Sequence, residues 1–280
     1  TAELASTVRD LPLQLTATWR LGNERLRFSE MALAGPEVAV KGQVDLDLAL
    51  RLAAGHLSGD VASIKPFAQA VGQELSGAVA LDLALNVAGA RQDAELKLDL
   101  TSLHTPWFAA RTVGVRMHAK DVLGDLRGRL DVTAADVGSD RLTIDTATLS
   151  VDGSAQAFVV STVMEGRLVD RPFDLAVSAQ AHSQELLEVD MIDAKLGDLA
   201  LSLAEPMRVE RKGDGVELAR ARLRVGTGAV IVRGYYAADS LRAELQFDAL
   251  PVAPLIAAPD LDLRGAVTGN LTVVEDGNGP

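Results

Sequence analysis

The chain has 280 residues and no cysteine, which excludes disulfides, thiolate metal sites and cysteine nucleophiles. Acidic residues outnumber basic ones 39 to 27, a formal net charge of −12, so the electrostatic footprint of a nucleic-acid binder is absent. Hydrophobic residues make up 48% but aromatics only 4%, so the apolar mass is leucine, valine and alanine. No apolar run is long enough to span a membrane as a helix. There is no signal-peptide pattern, and a chain opening at Thr1 is expected to be a piece of a longer protein, with any targeting or anchoring segment outside it.

The dominant pattern along the chain is period two. Val44, Leu46, Leu48, Leu50 and Leu52 alternate with Asp45, Asp47, Ala49 and Arg51. The short apolar linker Ile64–Leu75 (IKPFAQAVGQEL) breaks the alternation and predicts a short helix. Alternation then resumes at Leu81, Leu83 and Leu85, at Leu96, Leu98 and Leu100, and at Val113, Val115 and Met117. It returns at Phe173, Leu175 and Val177, and again at Leu199, Leu201 and Leu203. Ser183–Val189 reads as one helical turn, and the proline-rich Pro251–Pro259 as a loop. On a helix, positions two apart would scatter these leucines around the axis; on a strand they all point one way. Glycine-bearing turns such as Leu21-Gly22-Asn23, Gly35-Pro36 and Gly226-Thr227-Gly228 punctuate the segments. Together they predict roughly eighteen strands in an antiparallel meander. A weak internal repeat relates 24–81 to 216–273 at an offset that sets Leu26 on Leu218, Val40 on Val232 and Gly42 on Gly234.

Such a chain can bury its leucines in two ways. One is a pair of closed sandwich domains, in which every leucine is core. The other is one continuous segment over 1–280, a long curved sheet folded into a gutter whose open side needs an apolar guest or a cover. Eighteen strands at the usual spacing would make a groove of roughly 85 Å. A membrane barrel is disfavoured, because the sparse aromatics cannot supply girdles at both interfaces.

Three passages carry a family resemblance. The first runs from His56-Leu57-Ser58-Gly59 through Ile64-Lys65-Pro66-Phe67 to Leu75-Ser76-Gly77-Ala78-Val79. The second is Ala229-Val230-Ile231-Val232-Arg233-Gly234 with Leu241 to Pro251. The third is Leu261-Asp262-Leu263-Arg264-Gly265-Ala266-Val267-Thr268-Gly269-Asn270-Leu271. In this style the chain resembles a segment of the TamB proteins, within the AsmA-like superfamily of the bacterial envelope. The resemblance implies an all-β, mostly antiparallel sheet folded into an open hydrophobic groove (a β-taco) with one or two short helical breaks. It implies a periplasmic location, in a protein anchored to the inner membrane by a segment not present here. It implies phospholipid as partner, carried between inner and outer membrane. It also implies a link to outer-membrane protein assembly, with contact to an outer-membrane barrel protein made through regions outside this segment.

The lipid-binding candidates are the apolar stripes: Leu46, Leu48 and Leu50; Leu81, Leu83 and Leu85; Leu96, Leu98 and Leu100; Val113, Val115 and Met117; Leu175 and Val177; Leu199, Leu201 and Leu203. The plain alternative is that these side chains are simply core. No enzymatic activity, cofactor or metal is expected. No G-x-S-x-G elbow occurs, His56, His104, His118 and His182 are too dispersed for an HExxH site, and Asp45/Asp47 lack the glycine and glutamate of a calcium loop. Trp107 and Phe108 are expected to plug the groove or pack a turn.

Overall fold

A computed structural model describes residues 2–8, 11–70, 72–139, 141–183, 185–251 and 265–276. These residues form nineteen strands and one short helix, and the chain divides into two compact units, 1–155 and 156–280. The all-β expectation holds, and each strand pairing within the units is antiparallel.

The first unit is a meander. Its strands are β1 (Ala2–Val8), β2 (Leu11–Gly22), β3 (Arg25–Ala34), β4 (Val38–Asp47) and β5 (Leu52–Val61), then β6 (Ser76–Ala88), β7 (Arg91–His104), β8 (Ala109–Lys120), β9 (Arg127–Gly138) and β10 (Leu142–Ser154). Each pairs with the next. The helix α1 (Lys65–Ala70) sits between β5 and β6. It is shorter than the predicted span, because Gly72 at φ 73° closes it and Gln73 N–H returns to the Ala68 carbonyl at 2.9 Å.

The alternation from Val44 to Leu52 is not one strand. β4 ends at Asp47 and β5 begins at Leu52, with a turn over 48–51 in which Arg51 takes φ 57°. Asp47 Oδ1 accepts the Leu50 N–H at 3.0 Å, and Leu48 N–H donates to the Glu24 carbonyl at 2.8 Å. An aspartate that can hold the backbone two or three residues on makes a turn where leucine periodicity suggested continuation.

The second unit holds β11 (Phe158–Leu168), β12 (Arg171–Ala181), β13 (Leu186–Leu196), β14 (Leu199–Leu203) and β15 (Met207–Lys212), then β16 (Gly215–Val225), β17 (Gly228–Ala237), β18 (Ser240–Pro251) and β19 (Ala266–Asp276). β14 and β15 share one place in the sheet: both pair with β13 on one side and with β16 on the other. The break falls at Ala204-Glu205-Pro206, where proline has no N–H for the ladder. Counting that pair once gives eighteen strand positions. The predicted turn at Ser183–Val189 is only a bend: Ser183 Oγ accepts the N–H groups of Glu185 and Leu186 at 3.2 Å each, and β13 starts at Leu186. Of the predicted loop, Pro251 ends β18 and residues 252–259 lie outside the described residues.

The two copies of the weak repeat fall one in each unit, on β3–β6 and on β16–β19. Their pairing differs in detail. Leu33 faces Val40 across the β3–β4 hairpin, whereas the offset counterpart of Leu33, Val225, faces Gly228 rather than Val232. The shorter Gly226-Thr227 turn draws β16 and β17 together sooner than Gly35-Pro36-Glu37 does for β3 and β4.

Candidate functional site

In the first unit the register sets apolar residues opposite apolar residues across nine strands. One row runs Leu15, Leu33, Val40, Gly59, Leu81, Leu98, Val115, Val132 and Leu149, from β2 to β10. The next row on the same face runs Ala17, Met31, Gly42, Leu57, Leu83, Leu96, Met117, Leu130 and Val151. A third carries Val61, Val79, Leu100 and Val113. Because side chains alternate strictly, a one-residue slip anywhere would reverse a strand's faces, so unbroken rows mean the pattern itself fixes the register. Nine strands extend such a row about 38 Å.

Eight expected site residues lie on rows already named: Leu81, Leu83, Leu96, Leu98, Leu100, Val113, Val115 and Met117. Leu46 faces Leu26 and Ala53, and Leu85 faces Gly55 and Ala94, on the same apolar face. Leu48 and Leu50 do not join it. They stand in the β4–β5 turn, 49% and 56% exposed.

The second unit has its own apolar face. One row runs Phe158, Ala181, Leu187, Val209, Leu218, Gly234, Ala243 and Val273. Leu175 and Val177 sit opposite Met164 and Thr162 on one side and Ala194 and Ile192 on the other. Leu199, Leu201 and Leu203 face Leu196, Ala194 and Leu223 respectively.

These faces are half-buried. The stripe residues within strands are all of intermediate exposure. Among the described residues, fourteen apolar side chains are buried, nine of them alanine and none aromatic, isoleucine or methionine. No large side chain there is completely buried. In a closed sandwich the inward leucines of one sheet are covered by those of the other. Within each unit the stripe leucines are flanked sideways by their cross-strand neighbours and keep intermediate exposure.

Glycines on the apolar face mark where strands close on each other. A Cβ added at Gly42 would overlap the His56 carbonyl oxygen and lie 2.6 Å from Leu57 Cδ2 and 2.9 Å from Leu57 Cα. At Gly55 it would lie 2.8 Å from Val44 Cα, and at Gly59 2.6 Å from Val40 Cγ2. Close backbone approach at glycine is how a sheet bends sharply, and all three sit on the apolar side of the β4–β5 pair.

Gln92, which the pattern did not mark, ends this face. It is buried opposite Val87; its Oε1 accepts the Ala53 N–H at 2.7 Å, and its Nε2 donates to the carbonyls of Asn86 and Asp93 at 3.1 and 2.9 Å. One amide thus ties three strands together beside Leu85. The only available signal was a glutamine standing where alternation called for an apolar residue.

The opposite face is charged. Lys41, Ser58, Asp82, Lys97, Arg116, Asp131 and Ser150 follow one another across β4 to β10. Arg116 reaches Asp99 at 2.9 Å, Arg129 reaches Asp131 at 2.7 Å, Arg27 reaches Asp45 at 2.7 Å and His56 reaches Asp82 at 3.0 Å. The Arg116 hydrogen bond, helped by Lys97, holds the Asp99 carboxyl below its ordinary value, and Arg129 and Ser150 do the same for Asp131. A cavity of about 550 Å³ opens between β3 and β7, lined in part by Lys41, Ser58, Asp82, Lys97 and Asp99. These carboxylates are engaged in exposed ion pairs and form no group of three metal-ligating side chains among the described residues.

Trp107 neither plugs nor packs. Thr105 Oγ1 holds the turn by accepting the Phe108 N–H at 3.0 Å, and the indole is 76% exposed. Among the described residues no helix is long and apolar enough to cross a membrane. Comparison with protein-family models, with curated proteins and with solved structures gives no match to this chain.

Proposed function

We propose that the apolar faces are the interior of a lipid groove, and that the chain is a periplasmic bridge segment carrying phospholipids between inner and outer membranes. The observation that carries this reading is the pair of unbroken apolar rows over nine strands whose stripe leucines keep intermediate exposure. A long apolar surface at intermediate exposure calls for an occupant. An acyl chain suits it: each methylene moved fully from water gains about 0.8 kcal/mol. The lining is aliphatic and carries no polar side chain along its central rows, so it offers a chain no anchoring point. The glycines at β4–β5 allow the sheet to bend toward that face. The resemblance to TamB-type sequences supports the location and the cargo.

The test is site-specific photo-crosslinking in cells, with a photoreactive residue replacing Leu83 and Leu201 on the apolar faces and Asp82 and Ser202 opposite. Phospholipid adducts at the two leucines and not at the controls are the expected result. Leucines that crosslink only within the chain would mean a covered core and end the proposal. Adducts with outer-membrane proteins would replace it with a scaffold for their assembly through strand addition.

A further inference from the structure

In a meander, alternate turns lie at the same end of the strands. The β2–β3, β4–β5, β6–β7 and β8–β9 turns therefore share one edge of the first unit, at intervals of two strands, about 9.6 Å. Each of the four projects apolar side chains into solvent: Leu21 at 60%, Leu48 and Leu50, Val87, and Leu123 at 70% with Leu126 beside it. Backbone hydrogen bonds fix two of these tips, through Leu48 N–H to Glu24 and Gly124 N–H to Asp121. An exposed leucine is ordinary, but a row of them at every turn of one edge is a patch.

Cations stand beside them. Arg25, Arg91 and Arg127 are the first residues of β3, β7 and β9, and Arg51 immediately precedes β5. Arg20 and Lys120 flank the same turns. Across residues 20–25, 47–51, 88–91 and 120–127 there are six cations and four acids, in a chain whose net charge is −12. Among the described residues only Arg25 of the six forms an ion pair, with Asp47 at 3.6 Å. Four of the turns at the other edge, 34–38, 61–76, 104–109 and 138–142, hold two cations and three acids.

We infer that this edge is a membrane-contact rim: the turn leucines enter the headgroup boundary of an anionic lipid surface while the free arginines meet its phosphates. Shallow apolar insertion coupled to basic attraction is the general recipe for interfacial binding. The rim is made of turns and not of the sheet face, so it is independent of the groove.

The test is co-sedimentation of the full chain with two kinds of vesicle, phosphatidylcholine alone and phosphatidylcholine mixed equally with phosphatidylglycerol. Binding is expected on the anionic vesicles and is expected to fall as salt rises from about 0.05 M to about 0.5 M. The combined changes Arg51→Gln, Arg91→Gln and Arg127→Gln should lower partitioning about a hundredfold, at roughly fivefold each. Leu48→Asp with Leu123→Asp should abolish it. A tryptophan reporter separates the edges. In a chain carrying Trp19→Phe, the remaining Trp107 on the opposite edge should keep its emission on vesicles. With Trp19→Phe, Trp107→Phe and Leu123→Trp combined, the emission should shift to the blue. No anionic binding, binding indifferent to the turn changes, or a blue shift of Trp107 would each overturn the inference. Lipid adducts at the rim without adducts at Leu83 would leave the rim standing and remove the groove.

Discussion

Replacing Gly42 by alanine tests the close approach of β4 and β5. The added methyl must clear the His56 carbonyl and the Leu57 backbone, neither of which is the free end of a flexible side chain. Cβ atoms need contacts near 3.4 Å or more, so the 2.9 Å to Leu57 Cα alone demands a shift of about half an ångström, and the carbonyl overlap demands more. Overpacking of this kind costs about 1–3 kcal/mol. For a unit of this size, each kcal/mol moves the midpoint by about 2–4 °C, so Gly42→Ala should lower melting by about 2–12 °C. Gly138 is the control, since a Cβ there meets nothing within 4 Å and its φ is not left-handed. Gly138→Ala should be neutral or slightly stabilising, by under about 1 kcal/mol, because it removes freedom from the unfolded chain. The assay is thermal unfolding of both variants beside amide hydrogen exchange, with lost protection centred on β4 and β5 for Gly42→Ala. A Gly42→Ala protein as stable as the parent would refute the tight crossing and the local bend argued from it.

Leu83→Ala should cost about 1 kcal/mol by urea titration, well short of the 2–5 kcal/mol of an enclosed leucine, because Leu83 keeps intermediate exposure; a loss above about 3 kcal/mol would mean the face is covered. Gln92→Ala leaves the Ala53 N–H without its acceptor and should cost about 1–3 kcal/mol, with faster exchange at that amide as the direct readout. The β11–β12 turn forces Val169 and Asp170 to φ 47° and 65°, a conformation β-branched residues resist, so Val169→Asn should stabilise the second unit by about 1 kcal/mol in urea. Asp99 and Asp131 have carboxyls held below the ordinary aspartate value, so their contribution is present above that value and is lost as acid takes the pH down through their folded values. Asp131→Asn should shrink the drop in melting temperature between pH 5 and pH 3.

The strands were legible because leucine, a poor strand former by propensity, recurs at period two in stretches such as Leu81–Leu85 and Leu96–Leu100. Cross-strand rows followed from that phase, since only one register puts every stripe on one side. Leu48 and Leu50 were misplaced because their spacing matched the pattern while the deciding groups were a carboxylate at Asp47 and a left-handed Arg51. Periodicity reads burial and is blind to a turn that happens to keep the phase. Ser183 misled in the same way: its hydroxyl serves two amides locally, and a helical turn is one of several ways to use such a group. Gln92 escaped notice because its partners come from three strands, 39 residues away in the case of Ala53. The intermediate exposure of the stripe leucines was the least legible property, since a leucine fully covered by a second sheet and one partly exposed are written identically.

The distribution of side-chain size bears on how such a face would work. Of the fourteen buried apolar side chains of the described residues nine are alanine, whereas the stripe leucines within strands stay at intermediate exposure. A face made for its own closure would do the reverse, because leucine contributes more when enclosed. Fixed binding of one ligand calls for a few convergent polar groups that set its orientation. The rows supply none: from Leu57 to Val151 the positions opposite one another are leucine, methionine and valine. Successive places along such a row differ by about a methylene or two, so the free-energy steps between them are about 1–2 kcal/mol. An acyl chain held there is retained by total area and released from no single site. In the proposed reading that shallow profile is what makes the face a path, and it places any selection among head groups at the charged turns, where Arg51, Arg91 and Arg127 stand without ion-pair partners among the described residues.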